Sequence, residues 1–364
     1  MNPPFRADHV GSLLRPRELR RAFGEFSVGR LDVKEFEAVQ DRAVRDAVAL
    51  QERVGLDSIT DGEFRRASYW SHFIDAIDGL AVRESLFQFR GGDGSVQKFT
   101  APHAQRRIRR KHGAGAEALR FLRGATARTP KVTMPSPSTM HFWRGPQAIE
   151  PSAYSSVDEF FADLGRVYRE EVAELASLGA TWIQFDEVAL AMLCDPDVRD
   201  AVRRRGEDPG HLITLYVGAV NAALEGRPPN LRAAMHLCRG NYKGRWLSQG
   251  GYDPVAERLF NETAVDAFLL EYDTERAGDF APLRFVPRAK LAVLGLITTK
   301  TPALEDQDAV KRRIDAAAHI LPLDQLAICT QCGFASTIGG NPITEADEER
   351  KLKLIVDVAA DVWR

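Results

Sequence analysis

Eight short apolar runs of β type, centred near residues 7, 58, 132, 183, 234, 268, 294 and 327, alternate with stretches of helical period along the 364 residues. That alternation predicts an α/β chain folded as a (β/α)8 barrel of the TIM type. Two further observations agree. At 44% hydrophobic content a chain of this length can bury one barrel-sized core. The runner-up, an open doubly wound sheet, wants a glycine-rich phosphate loop after its first strand, and His9-Val10-Gly11-Ser12 lacks that glycine spacing. The expected organisation is one domain over residues 1–364, with an inserted hairpin and basic segment at about 79–129.

The elements follow in order. Ala7 to Ser12 reads as a short strand whose Gly11 lets another backbone or a ligand come close. Residues Val33 to Val54 carry Phe36, Val39, Ala43, Ala47 and Leu50 at helical spacing. Asp57 to Phe64 is a second strand ending on acids, so strand, helix and strand make a βαβ unit. An excursion then breaks the alternation between the second and third strands. Phe87-Gln88-Phe89-Arg90-Gly91-Gly92-Asp93-Gly94 suggests a hairpin turn, and Arg106-Arg107-Ile108-Arg109-Arg110-Lys111 is a solvated face or a patch for an acidic cosubstrate tail. Lys131 to Met134 resumes as a strand, closed by Pro135-Ser136-Pro137. Helices are expected around Val157 to Leu178, His211 to Leu224, Pro254 to Phe260, Leu304 to Ile320 and Ala346 to Trp363. The strands between them end at Asp186-Glu187, His236, Glu271, Ile297 and Cys329.

Composition excludes several functions. A formal net charge of -2 gives no basic surplus for nonspecific nucleic-acid binding. No apolar run reaches membrane-spanning length, and Met1-Asn2-Pro3-Pro4-Phe5-Arg6 lacks an apolar signal core, so a cytoplasmic location is expected. Four cysteines in so long a chain are too few for a disulfide scaffold, and in a reducing compartment they remain free to bind metal. Cys194 sits on no motif.

The chemistry gathers at the strand ends, which in a barrel all face one mouth. His236 and Cys238 lie two residues apart, and in a strand i and i+2 share a face. Glu271 closes the run Ala267-Phe268-Leu269-Leu270, and Cys332 follows Ile328-Cys329-Thr330-Gln331. One imidazole, two thiolates and a carboxylate suit zinc. Such an ion can hold an incoming thiol as thiolate, which implies alkylation of a thiol. Hydrolysis by zinc-bound water, or a purely structural zinc in a binding protein, are the competing readings. The spare carboxylates Glu63 and Asp186 could bind the ammonium of an amino-acid thiol while the Gly11-Ser12 backbone takes its carboxylate; the alternative for each is ion pairing with Arg65 or Arg66.

On these residues the chain resembles the catalytic, C-terminal barrel of cobalamin-independent methionine synthase, and more closely its short single-barrel bacterial relatives, over nearly its whole length. His236-Leu237-Cys238, Glu271 and Cys332-Gly333 match the family's zinc ligands in order. Val10-Gly11-Ser12, Glu63 and Asp186 match positions that hold homocysteine, and Trp143 matches the tryptophan that stacks on the folate donor. The resemblance implies a zinc-dependent transferase of the 5-methyltetrahydropteroyltriglutamate–homocysteine type, with no catalytic residue beyond the metal site. Two departures stand out. Full-length members carry a second, N-terminal barrel for which this chain has no room. The family also places a histidine beyond the seventh strand to protonate the leaving folate nitrogen, where this chain reads Gly295-Leu296-Ile297-Thr298-Thr299-Lys300. A methyl corrinoid, free or on a corrinoid protein, needs no such proton, so both donors stay open, as does alkyl transfer to another thiol such as coenzyme M. Cys329 has no assigned role; its CxxC with Cys332 makes it an alternative ligand.

Overall fold

In the computed structural model, which describes residues 4–90 and 96–363, strands follow one another as β1 (Ser58–Ile59), β2 (Ile77–Arg90), β3 (Val96–Arg110), β4 (Thr129–Pro135), β5 (Trp182–Glu187), β6 (Arg232–Leu237), β7 (Ala267–Glu271), β8 (Leu291–Ile297) and β9 (Leu326–Thr330). Seven of them form one all-parallel sheet in the order β1-β4-β5-β6-β7-β8-β9, and β2 and β3 pair antiparallel outside it. From β4 to β9 the strands are buried almost throughout, as expected of a parallel sheet covered on both faces. Helices supply the cover, and Val33–Val54 is bounded by an Asp32–Glu35 capping box and by Gly55 at φ 99°.

The expected first strand differs from its prediction. Ala7 makes a single parallel bridge to Ile328 of β9, with Asp8 N donating to Ile328 O at 3.0 Å and Ile328 N to Arg6 O at 2.9 Å. Beyond it the backbone turns to side chains: His9 N donates to Asp8 Oδ1 and Val10 N to Thr330 Oγ1. β1 stops after two residues for the same reason, because Thr60 N donates to Gln51 Oε1 and Gly62 N to Thr60 Oγ1. Backbone groups satisfied by side chains need no ladder. The described residues therefore give an α/β fold with seven regular parallel strands and one bridged segment.

That sheet is strongly curled. On a flat sheet β4 would lie five strand spacings, about 24 Å, from β9, yet Lys131 Nζ of β4 is 2.7 Å from Asp8 Oδ1, in the segment that lies beside β9. Trp182 Nε1 of β5 also donates to Asp8 Oδ2 at 3.3 Å, and Gln184 Nε2 to Val10 O at 2.5 Å. Around these contacts Val10, Trp182, Ala234, Leu269, Val293 and Ala327 form a small interior cluster of their own.

The excursion is more structured than its sequence suggests. Its arms are β2 and β3, and the helix Ala116–Ala125 follows before β4. The predicted turn glycines Gly91 to Gly94 lie outside the described residues. The basic run is neutralised rather than free: Arg106 and Arg109 pair with Asp78, Arg107 with Glu159 and Asp163, and Arg110 with Glu171 and Glu174. Helices Arg17–Ser27 and Pro196–Arg204 were also not anticipated. No described helix is long and apolar enough to cross a membrane.

The Asp8–Lys131 pair joins the first segment to the far side of the sheet, with both side chains buried. Lys131→Met alone leaves a buried carboxylate uncompensated and should lower unfolding free energy by about 3–5 kcal/mol. The double variant Asp8→Asn/Lys131→Met should lose less, as urea unfolding of the three proteins would show; a double variant as unstable as Lys131→Met argues against a charge-pair origin.

Candidate metal centre

Parallel pairing sets the centre. Across β5 and β6, Asp186 is register partner to His236, and Glu271 ends β7 on the next strand, beside Gly295 of β8. Just past the strand ends lie Cys238, one residue after β6, and Cys332, two residues after β9. His236, Cys238 and Cys332 form a buried group whose ligand atoms all lie within 4.8 Å of one another. The two sulfurs are 3.4 Å apart; two thiolates on one tetrahedral zinc would stand about 3.8 Å apart. His236 Nδ1 lies 3.3 Å from Leu269 O, an arrangement that fixes the ring and leaves Nε2 as the ligand nitrogen. Nε2 is buried without a hydrogen-bond partner among the described residues. A hydrogen bond from Cys238, with help from His236, holds the Cys332 thiol well below its ordinary range, and the same contact pushes Cys238 up. An imidazole beside two adjacent sulfurs, all buried, fits a soft divalent metal.

Glu271, the expected fourth ligand, is not in this group. Its Oε2 accepts from Arg239 N at 2.8 Å, and its Oε1 from Arg276 Nη2 at 2.6 Å, with Lys300 Nζ at 3.4 Å. Burial opposes its ionisation, but Lys300, Arg276 and Arg239 outweigh that and hold the carboxyl down at about 2. Cys329 faces Val293 O and the interior cluster, away from the other two sulfurs' hydrogen bond.

The centre opens into a cavity of about 350 Å³ lined by His236, Cys238 and Cys332 together with Val10, Ser12, Glu63, Trp143 and Asp186. Sequence reading thus named residues that the fold brings to one place. Gly11 and Gly333 are required there: a Cβ on Gly11, at φ 140°, would meet Thr133 Cγ2 at 2.8 Å, and one on Gly333 would sit 1.9 Å from Ser12 Oγ. Glu63 holds φ 61°, one of two described non-glycine residues at positive φ, a strained conformation of the kind that clusters at functional sites. Its Oε1 accepts from Thr133 Oγ1 at 2.9 Å and Arg66 is 3.6 Å away, but Oε2 has no partner among the described residues. Arg65 pairs instead with Asp41. Asp186 Oδ1 accepts from Gln184 Nε2, whose own oxygen lies 3.3 Å from Lys131 Nζ.

Two buried carboxylates on one wall repel each other. Burial, then the Glu63 charge, raises Asp186 to about 7, and burial raises Glu63 as well. A cation placed between them would relieve that repulsion. The opposite wall is aromatic: Trp143 meets Phe99 edge-on at 5.1 Å and 88°, and Phe89 lies 5.3 Å from Tyr242. Phe89 and Phe99 come from the hairpin arms, and Tyr69 from the loop after Glu63. None of these three was singled out in the sequence; the alternation Phe87-Gln88-Phe89 was the available signal. Arg276 and Lys300 were missed because nothing local marks a cation that meets a carboxylate from another strand.

Because Asp186 is raised in the folded chain, the stability it contributes is fully present only below its unfolded value near 3.8 and is lost as pH rises through about 7. The Tm gain of Asp186→Asn over the parent should grow between pH 5 and pH 7, by a few degrees, and level off above. Thermal unfolding at four pH values checks this; a gain that does not change with pH counts against the shift.

Residues 5–361 match the family model described as cobalamin-independent synthase, catalytic domain. Among known proteins, the chain is 37% identical to uncharacterized protein YxjH of Bacillus subtilis strain 168, covering 99% of this chain and 95% of that one. It is 27% identical to the methionine synthase of Pyrococcus abyssi, covering 89% and 85%. A solved structure from Listeria monocytogenes, named for the vitamin-B12 independent methionine synthases, superposes with a TM-score of 0.79 at 31% identity, covering 100% and 99%. The family model and the Listeria structure are described as cobalamin-independent, so the corrinoid protein partner considered from the sequence has no support. The chain belongs to the catalytic-domain family of the cobalamin-independent methionine synthases, a family of methyltransferases.

Proposed function

We propose that this protein is a zinc-dependent methyltransferase that converts homocysteine to methionine with a 5-methyltetrahydrofolate-type donor, working as one closed (β/α)8 catalytic barrel over residues 1–364. The observation that carries the reading is the junction of two features in one cavity: a His236–Cys238–Cys332 group and a wall of two buried carboxylates. The name of the Pyrococcus relative supports the same reaction.

His236, Cys238 and Cys332 would hold the zinc, with Glu271 as the exchangeable fourth ligand. When bound, the metal supplies a Lewis acid that keeps a thiol deprotonated at neutral pH. The chain's own residues do the rest. Glu63 and Asp186 take the substrate ammonium, which supplies the partner that Glu63 Oε2 lacks and favours ionisation of both carboxyls. The Val10-Gly11-Ser12 backbone takes the carboxylate, in a gap kept open by the two glycines. Trp143, braced by Phe99, offers the aromatic face for a flat donor, and the hairpin aromatics exclude water from the transfer.

Zinc-loaded protein given homocysteine and methyltetrahydrofolate should form methionine; a protein that binds zinc but forms none overturns the reading. Glu63→Gln removes one charge-assisted contact, about 1.5–3 kcal/mol, so homocysteine binding should weaken by about 10- to 150-fold while zinc content is unchanged. Metal analysis should find less zinc in Cys332→Ser than in Glu271→Gln, because the soft ligand contributes more to affinity; equal loss would show that the carboxylate is as strong a ligand as the sulfur.

A further inference from the structure

Glu271 is held closely without any metal, whereas Asp273, two residues further along, has only longer ion pairs with the same two cations. The Asp273 side chain is 1% exposed, and neither of its oxygens has a hydrogen-bond partner among the described residues. A buried carboxylate held only by ion pairs too long for hydrogen bonds is costly and calls for an explanation. Its nearest charges are the two cations that hold Glu271. Arg276 Nη2 is 2.6 Å from Glu271 Oε1 and 3.9 Å from Asp273 Oδ1; Lys300 Nζ is 3.4 Å from Glu271 Oε1 and 3.9 Å from Asp273 Oδ2. Both cations are themselves nearly buried, so neither can turn to water instead.

We infer that Arg276 and Lys300 form a two-position cradle, shared between Glu271 and Asp273, that determines whether the Glu271 carboxylate lies away from the metal ligands or is released to them. The inference rests on the zinc reading above. In the first position, seen here, the cations hold Glu271 Oε1. In the second they move by about 1 Å to hydrogen-bonding distance of Asp273, and Glu271 is left with the Arg239 N–H alone and is free to turn toward His236, Cys238 and Cys332. Charge is conserved between the positions: two cations always face two carboxylates. Asp273, Arg276 and Lys300 are positioning residues; none of them lines the cavity.

The cradle predicts opposite shifts in zinc affinity from two variants that leave all four proposed ligands in place. Lys300→Met removes a competitor for Glu271 and should tighten zinc binding by about threefold or more; Asp273→Asn removes the alternative acceptor and should weaken it by a similar factor, as expected of coupled neighbours. Competition with a chromophoric chelator measures both, and the visible spectrum of the cobalt-substituted proteins reports the change in ligand field. Removing a positive charge near a cation site also tightens binding nonspecifically, so each variant is repeated in a Glu271→Gln background. There both shifts should shrink to the nonspecific part. Arg276→Gln gives the same sign as Lys300→Met and serves if that variant does not fold. Zinc affinity that is unchanged or weaker in Lys300→Met, or shifts as large without the Glu271 carboxylate as with it, overturn the cradle alone. A parent protein that takes up no zinc overturns the metal reading with it.

Discussion

Everything at this centre depends on the parallel ladder of β5, β6 and β7. Parallel strands all end on the same rim, and fixed register decides which ends touch. Asp186 meets His236 because Gln184 pairs with Ala234 two residues earlier, and Glu271 follows because Leu269 pairs with His236. A one-residue slip in either pairing would turn His236 into the opposite face of the sheet and separate it from Cys238's partner sulfur. Apolar residues on both faces of these strands make such a slip expensive, so the centre inherits its precision from packing far below it.

A rim assembled in this way collects charge in a place with little water, and the structure answers with three different balances. Asp8 and Lys131 neutralise each other in the interior. Glu271 is overcompensated by Arg239, Arg276 and Lys300. Glu63 and Asp186 are undercompensated: Arg66 stands 3.6 Å from Glu63, and Arg15 meets only its backbone carbonyl, at 2.8 Å. The first balance stabilises, as a buried pair must if either member is to remain. The third leaves the site short of one cation, and strain at Glu63 suggests that the fold tolerates the deficit for the sake of a ligand.

Much of this was legible in the sequence, and the boundary has a physical cause. Periodicity over Val33–Val54 is a local property, and the helix has those ends. The His236-x-Cys238 spacing is likewise local, since alternation in a strand settles which face both side chains share. What failed was long-range. The first strand shrank to one bridge because Asp8 and the distant Thr330 side chain satisfied its backbone, as Gln51 did for β1. The helix Ala116–Ala125 was hidden by its neighbourhood of basic and glycine residues. The aromatic wall and the two cations beside Glu271 arrive from the hairpin, from the turn after β7 and from the loop after β8, and no window of the chain contains them together.

The cations explain why a carboxylate could serve where a third thiolate would not. A ligand that must yield its place to a substrate on every turnover needs a second resting position of nearly equal free energy; otherwise one state dominates and exchange is slow or incomplete. A thiolate beside the rim has no such position, because guanidinium and ammonium groups pair best with oxygen acceptors. A carboxylate has one wherever two cations are fixed within reach, and at the end of β7 they are fixed twice over, once by Glu271 and once by the Asp273 that waits beside it. On the proposed reading, a second acceptor within reach of the same two cations, rather than a stronger hold on Glu271, is what would suit it to come and go.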